Sequence, residues 1–286
     1  MGTSSSGSGP GNNSPLLPNW GPPNDLLQPK KEPVDLSDPN LIPEVQSDNN
    51  MPQDDKIDPD KIPVTGNWGS VKTRLGRIAN GSKTRNYKGI AKGYVRNLGG
   101  VKNAVKASRS GIKGAASIAN FLSSIGQHGY SDTMRIFGLS ECIGKTAEVV
   151  FARLSDKICP AGNTNEEAIT RKAMLETLSS LYGKFVDKDN INLDNLQKED
   201  IEIAITDFVC NYIYHKWLYE LGLAIENKRI YETDALSLEE QIKEFIFEEV
   251  RVEFKDRDIL NMDFTSGNGK DLIEDIFEQS YTTLIS

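Results

Sequence analysis

The residue best suited to chemistry is Gly2, which follows Met1. A glycine here is small enough for Met1 to be removed, and removal would expose an unhindered α-amine. An α-amine has a pKa of about 7.7–8.0, so a usable fraction is neutral and nucleophilic near pH 7. The residues from 2 to 11 carry no charge and no hydrophobic side chain. This stretch is either an ordinary disordered terminus or a peptide that another protein recognises.

Elsewhere in the sequence, the histidines, glycines and carboxylates lack the spacing of known catalytic, phosphate-binding or metal-binding motifs. His128 and His215 have no paired ligand motif, which favours structural roles. The sequence around Gly144 resembles the end of a P-loop. However, the position five residues earlier, where a P-loop has glycine, is Leu139, and no predicted strand precedes it. A run of carboxylates lacks di-iron spacing and indicates a solvated helix face: Glu239, Glu240, Glu244, Glu248 and Glu249. We therefore predict no cofactor, no metal and no enzyme activity.

The cysteines and the hydropathy pattern predict a reduced, cytoplasmic protein. Cys142, Cys159 and Cys210 are odd in number and lack CxxC spacing, so buried thiols are expected rather than a disulfide framework or a zinc site. The sequence has no apolar run of 18 residues and no basic-then-apolar start. These absences predict neither a transmembrane helix nor a secretory signal.

Charge divides the chain into three parts. Residues 1–66 carry 4 basic and 10 acidic residues, residues 67–131 carry 12 basic and no acidic residues, and residues 132–286 carry 17 basic and 31 acidic residues. We predict a disordered tail over 1–66, a basic, glycine-containing helical segment over 67–131 and an acidic helical bundle over 132–286. The overall charge of −8 therefore hides a cationic middle segment.

The predicted tail is rich in Pro, Asn, Asp and Ser and shows no helical or strand period. A coil of this length spans roughly 45 Å. Small apolar islands interrupt it at 16–17, 20, 26–27 and 41–42. Trp20, between Pro18 and Pro22, has the setting of a polyproline-type segment that docks in a partner's groove. A solvated linker is the alternative.

The basic segment carries its cations at helical spacing. Gly99 and Gly100 separate two predicted helices. The first carries Lys88, Lys92 and Arg96, and the second, over 101–125, carries the remaining candidate cations. Three interpretations stay open: a structural layer that meets the acidic bundle, a nucleic-acid-binding surface over 72–113, and a membrane-active effector whose basic amphipathic helix over 101–125 lies on an anionic membrane. The candidate phosphate-binding residues are Lys88, Lys92, Arg96, Lys102, Lys106, Arg109 and Lys113.

The rest of the chain shows helical periodicity throughout. Helices are predicted at about 140–158, 164–184, 198–227, 237–254 and 271–284, with Thr164 and Glu167 as a capping box and Ser237 as another cap. The most hydrophobic of them, 198–227, is the expected centre. The predicted fold class is all-α, a bundle of about six to eight helices preceded by a long disordered N-terminal tail.

In the order of these features the chain resembles the QatB family of Qat anti-phage systems. The resemblance covers nearly the whole chain and rests on order and spacing rather than on one diagnostic motif. The residues that carry it are Met1-Gly2-Thr3-Ser4 with the Gly/Ser/Pro run after it, Arg74-Leu75-Gly76-Arg77-Ile78-Ala79, Gly93-Tyr94-Val95-Arg96, Gly99-Gly100, Thr206-Asp207-Phe208-Val209 and Leu221–Lys228. The tail departs from the family pattern after Asp25, where it is acidic and Asn-rich.

The resemblance implies a non-catalytic subunit that works with an ATPase (QatA), a QueC-like enzyme (QatC) and a TatD-like nuclease (QatD). QueC-type enzymes activate a carboxylated deazaguanine with ATP and capture an amine. Similar defence enzymes join a deazaguanine to an N-terminal glycine. On this chain the acceptor would be the Gly2 nitrogen, with Thr3 and Ser4 as recognition positions for the partner enzyme. Nucleic acid is a further candidate partner, and a membrane is not expected.

Overall fold

The computed structural model describes residues 68–81, 85–187, 190–191, 196–226, 232–254, 258–264 and 267–286. These ranges hold ten α-helices: α1 (Trp68–Ala79), α2 (Tyr87–Asn97), α3 (Val101–Lys106), α4 (Arg109–His128), α5 (Tyr130–Ile136), α6 (Ala147–Ile158), α7 (Asn165–Phe185), α8 (Lys198–Glu226), α9 (Glu232–Glu249) and α10 (Gly267–Ile285). The all-α prediction is confirmed. The predicted tail over 1–66 lies outside the described residues.

Two short 3-10 turns, Ser140–Cys142 and Ile259–Asn261, join the helices. In the described part of the chain, the only strands are β1 (Val186–Asp187) and β2 (Asn190–Ile191), which pair antiparallel. There are more helices than the expected six to eight because the predicted 101–125 helix is two helices and the short α5 was not predicted.

Helix α8 forms the centre, as its hydrophobicity predicted. Side chains at positions 201, 205, 208, 212, 217 and 221 are buried, and so are several between them, such as Ala204, Val209 and Ile213. A helix that is apolar around most of its circumference must be covered around most of it. Accordingly, α8 packs against α1, α4, α7, α9 and α10.

The helices on both sides of residue 131 contribute to one hydrophobic core. Helices α1 and α4 pack on α8, and α2, α3 and α4 pack on α10. In α4, the buried positions recur at helical spacing, including Ile112, Ala115, Ile118 and Leu122. Each large apolar side chain buried in this way stabilises the fold by about 1.5–3 kcal/mol relative to exposure.

The prediction of one continuous helix over 101–125 was wrong. Helix α3 ends at Lys106 and α4 begins at Arg109. At the junction, the Ala107 carbonyl accepts a hydrogen bond of 3.2 Å from Lys216 Nζ, and the Ser108 hydroxyl lies 2.9 Å from that of Tyr281. Contacts with α8 and α10 therefore fix a break that local periodicity does not reveal.

Three other helix starts were also wrong, and one of them is that of α10, which begins at Gly267 rather than near residue 271. The predicted 140–158 helix is a 3-10 turn followed by α6, because Gly144 adopts a left-handed φ of 77° between them. Helix α9 begins at Glu232 rather than near Ser237, whose hydroxyl accepts a hydrogen bond from the Gln241 side chain instead of capping the helix. Helix α9 ends at Glu249, five residues before the predicted end.

The predicted capping box at the start of α7 is confirmed. The Glu167 amide donates to Thr164 Oγ1 at 3.2 Å, and Glu167 Oε2 accepts from the Thr164 and Asn163 amides at 3.0 and 2.8 Å. These hydrogen bonds lower the pKa of Glu167, the Thr164 amide contributing most. Three backbone amides at this helix start thereby gain acceptors, those of Asn163, Thr164 and Glu167.

Replacing Thr164 with alanine is expected to lower the free energy of unfolding by about 1 kcal/mol, because the side-chain acceptor at the helix start is lost. Urea denaturation of the full chain measures this change. Thr164→Ser keeps the hydroxyl and serves as the control. An alanine variant as stable as the serine variant would mean that the box contributes nothing to stability.

Candidate functional site

The first candidate site, Gly2 with Thr3 and Ser4, lies outside the described residues. The first residue that the structure describes is Trp68. The Trp68 ring, at the start of α1, lies edge-on to the Tyr94 ring at a centroid distance of 5.6 Å. Tyr94 in turn lies 5.2 Å from the Trp217 ring of α8. The start of α1 therefore packs, through Tyr94, beside the central helix α8.

The second candidate site is the set of seven cations on α2, α3 and α4. All seven side chains are exposed: Lys88, Lys92, Arg96, Lys102, Lys106, Arg109 and Lys113. On α2 they alternate with the buried residues Tyr87, Ile90, Ala91, Tyr94 and Val95. The helices thus bury their apolar faces and leave the cations in solvent, as the spacing predicted.

Few of these cations are neutralised by the acidic part of the chain. Among the described residues, the only ion pair that this set makes joins Lys88 Nζ to Glu249 Oε2 at 3.6 Å. Lys113 also lies near enough to Glu167 to lower its pKa slightly. The interpretation of the segment as a structural layer therefore applies to its apolar faces, whereas most of its charge is available at the surface.

The apolar face that a membrane-surface helix over 101–125 would need is buried along α4. The residues predicted to form the stripe in α4, including Ile112, Ile118 and Leu122, are at most 6% exposed in the protein core. Gly111 and Gly114 bring α4 close to the aromatic side chains of α8. None of the helices in the described ranges combines the length and the apolar character that crossing a membrane requires.

A groove of about 360 Å³ lies between α7, α8 and α9. We call it the α7–α9 groove. Its wall includes His215, whose Nε2 lies 2.7 Å from Glu176 Oε1, while Lys243 Nζ donates to Glu176 Oε2 at 2.5 Å. The lining residues are Asn165, Ala168, Ile169, Lys172, His215, Leu218, Tyr219, Gly222, Ala235 and Glu239.

In this wall, His215 and Glu176 shift each other's pKa. Burial lowers the pKa of His215, and the neighbouring Glu176 carboxylate only partly opposes this effect. Burial raises the pKa of Glu176, but hydrogen bonds and charges from Lys243 and His215 outweigh it, so the pKa lies below its usual value. The Nε2 atom of His215 therefore has a hydrogen-bond partner in Glu176.

A buried polar cluster next to the α3–α4 junction was not predicted. Lys216, whose side chain is 7% exposed, lies 3.6 Å from Glu166 Oε1 and 3.6 Å from Glu220 Oε1. Tyr212 donates a hydrogen bond to Glu166. Burial raises the pKa of Glu220, and Lys216 lowers it only in part. Since buried ions must be paired, this cluster explains how one lysine can lie inside α8.

The sequence shows these residues, but no signal brings them together. Lys216 and Glu220 have the i, i+4 spacing of an ordinary surface pair, whereas Glu166 is 50 positions away. Within the described residues, no group of three or more His, Cys, Asp or Glu side chains is placed to hold a metal ion. The three cysteines are buried free thiols, as predicted.

Comparison with known proteins gives one family. The family model described as "Qat anti-phage system associated protein QatB" matches residues 99–284. This match covers more than half of the chain and spans α3 to α10. No curated protein and no solved structure matches the chain.

Proposed function

We propose, from the premise that the chain belongs to the QatB family of Qat anti-phage system associated proteins, that it is a non-catalytic subunit whose Gly2 a partner enzyme modifies. Family membership makes it a component of anti-phage defence. The finer proposal is that a QueC-like enzyme attaches a deazaguanine to the Gly2 nitrogen. Thr3 and Ser4 would be the residues that the enzyme recognises, and QatA and QatD would be further partners.

The proposed step is the formation of an amide. ATP first activates the carboxyl group of the deazaguanine acid by linking it to a phosphate-containing leaving group. The neutral Gly2 amine then attacks the carboxyl carbon, the C–N bond forms, and the bond to the leaving group breaks. The amine loses its proton to a base or to water. The residues of this chain supply the acceptor, and the ATP chemistry belongs to the partner enzyme.

The observation that carries the proposal is the composition of residues 2–11, which are small and uncharged around a potential glycine amine. Close approach of an amine to an activated carboxyl group demands an unhindered acceptor. The family match begins at residue 99, which is consistent with a helical unit that serves as the body of the subunit while the terminus is the substrate.

The test is the intact mass of the full chain after expression with and without the QueC-like partner. We expect the chain expressed alone to have lost Met1 and nothing more. With the partner, the mass should rise by that of the deazaguanine acid minus one water, and fragmentation should place the addition on Gly2. An unchanged mass in the presence of an active partner enzyme would refute the modification.

A second candidate function is nucleic-acid binding by the cations of α2 to α4. It is favoured by their exposure and by the single ion pair found among them in the described part of the chain. Uncompensated cations attract phosphates in a salt-dependent manner. This function is compatible with the first one, because the two use different parts of the chain.

Reversing the charges of Lys92, Arg96, Lys102 and Lys106 together is expected to weaken binding to a DNA or RNA duplex by at least about tenfold at low salt, because phosphate contacts are lost. Folding should change little, since exposed charges alter stability by about 0.5 kcal/mol each. Binding titrations at several salt concentrations and thermal unfolding measure the two effects. If the wild-type chain shows no salt-dependent binding, the nucleic-acid function is excluded.

A further inference from the structure

Helices α2 and α3 and the start of α4 expose one continuous set of cations. Helices α2 and α3 pack on each other, and all three helices pack on α10. Residues 67–131 contain no Asp or Glu, and in the described ranges the only ion pair to this set is that of Lys88. We call these seven exposed cations the basic surface: Lys88, Lys92, Arg96, Lys102, Lys106, Arg109 and Lys113. Such a surface attracts phosphate groups.

The aromatic rings between residues 68 and 131 pack against the core. Tyr87 and Tyr94 are at most 9% exposed, and Phe121 is fully buried. Trp68 and Tyr130 are partly buried against the same core. Proteins that bind single-stranded nucleic acid stack its bases on exposed aromatic side chains. Because these five rings are engaged within the fold, the basic surface lacks the stacking platform that a single strand requires.

The amide side chains of the basic surface are also used within the fold. Residues 85–113 contain three of them. Asn86 Oδ1 accepts a hydrogen bond of 2.6 Å from a backbone amide, Asn103 Nδ2 donates one of 3.1 Å to a backbone carbonyl, and Asn97 is buried. Adenine is identified by two hydrogen bonds to an Asn or Gln side chain, and cytosine by a carboxylate. Residues 85–113 therefore supply neither an available amide nor a carboxylate for these contacts.

The cations themselves are mainly of the type that contacts phosphate. Five of the seven are lysines, and the two arginines, Arg96 and Arg109, lie on different helices. The planar guanidinium group of arginine forms the two parallel hydrogen bonds that identify guanine, whereas a lysine acts as a point charge. Phosphate contacts fix the position of a protein on a nucleic acid and carry no sequence information.

We propose that the basic surface binds double-stranded DNA through its phosphates, without regard to base sequence. This inference rests on the nucleic-acid function proposed above and adds to it the form of the ligand and the way in which it is recognised. Duplex DNA carries one negative charge for about every 1.7 Å of its axis and needs no stacking partner. RNA is recognised mainly through unstacked bases and 2′-hydroxyl groups, for which the engaged aromatic and amide side chains are not available.

The spacing of the cations suits a duplex in any register. Lys88, Lys92 and Arg96 follow one another at intervals of four residues on α2, which advances each of them by about 6 Å along the helix axis. About 6 Å of duplex axis holds three to four phosphate charges. Each flexible side chain therefore has a phosphate within reach wherever the helix lies along the backbone, so binding does not require a particular sequence.

Counterion release sets the expected salt dependence. Each phosphate contact with B-form DNA contributes about −0.9 to the slope of log K against log salt concentration. Lys88 has a carboxylate partner in Glu249, and the other six cations would make the contacts. The slope is therefore expected to reach about −5 if all six contact phosphates at once.

The experiment is fluorescence anisotropy of the full chain with labelled oligonucleotides at several salt concentrations. The probes are two DNA duplexes of equal length and unrelated sequence, one RNA duplex and one DNA single strand. We expect the two DNA duplexes to bind with dissociation constants within about twofold of each other, since a sequence-specific site changes affinity by about 1,000-fold or more. The single strand should bind about tenfold more weakly, and the RNA duplex no more tightly than DNA.

A pair of double variants locates the site. Lys92→Gln with Arg96→Gln should weaken binding to both DNA duplexes equally and reduce the salt slope by about 2, because each lost phosphate contact changes it by about 1. The matched control is Arg153→Gln with Lys157→Gln, which removes the same charge at the same spacing from exposed positions of α6. The control should keep the wild-type slope. Thermal unfolding verifies the fold of both variants.

The outcomes separate this inference from the function on which it rests. If no probe shows salt-dependent binding, the nucleic-acid function is refuted, and duplex binding with it. Tighter binding to the single strand or to the RNA duplex, or a difference of about tenfold or more between the two DNA sequences, would keep the nucleic-acid function and overturn sequence-independent binding of duplex DNA. Equal losses in the two double variants would overturn the assignment to the basic surface.

Discussion

Replacing Gly2 with leucine is expected to abolish both the modification of the chain and protection against phage. A leucine next to Met1 is too large for Met1 to be removed, so the free α-amine would stay on Met1 instead of being exposed on residue 2. Its side chain would also crowd the approach to the activated carboxyl group, and a misplacement of about 1 Å can cost about 100-fold in rate. Intact mass with the partner enzyme and plating of phage on cells with the complete gene set measure the two losses.

The matched control is Gly7→Leu, which makes the same change five positions further along the tail. It should retain removal of Met1, modification and protection. Both variants should unfold at the wild-type temperature, which separates a lost acceptor from a damaged fold. Full protection by Gly2→Leu would contradict the assignment of Gly2 as the functional residue.

The largest expected effect on stability comes from Gly114. A Cβ atom at this position would lie 2.6 Å from the Phe208 ring and 2.7 Å from Thr170 Cγ2. Gly114→Leu must therefore displace the Phe208 and Thr170 side chains or push α4 away from α8 and α7. We expect the free energy of unfolding to fall by about 3 kcal/mol, at the upper end of the usual cost of overpacking. For a protein of this size, that corresponds to a decrease in Tm of roughly 6–12 °C.

Gly183 provides the comparison, since it is an exposed helical glycine with open space around it. Gly183→Leu should leave the Tm close to the wild-type value, and Gly183→Ala should stabilise the chain by up to about 1 kcal/mol through its higher helix propensity. Denaturant unfolding distinguishes these outcomes. Equal stabilities of the Gly114→Leu and Gly183→Leu variants would show that α4 and α8 do not pack closely at Gly114.

Periodicity predicted the helices whose limits are set locally. The start of α7 was found because Thr164 and Glu167 cap each other, and α8 was found because its apolar pattern runs unbroken from Ile201 to Leu221. The turn at Gly99 was found because glycine both weakens a helix and tolerates the φ of 88° that the chain adopts there.

Features set by distant residues were not predictable in the same way. The break at Ser108 depends on Lys216 and Tyr281, which are more than 100 positions away. The α7–α9 groove likewise combines residues from three helices, none of which has a distinctive spacing. Gly111 and Gly114 illustrate the difference, because the sequence shows only two helix-weakening residues, whereas the structure shows where two helices make a close approach.

The exposure of the seven cations has an evolutionary consequence. A residue whose side chain lies in solvent and makes no core contact can change by a single codon at almost no cost in folding. The apolar faces of α2 and α4 have no such freedom, because each buried residue is held by its neighbours. In this arrangement the charged surface can change while the packed interior stays the same.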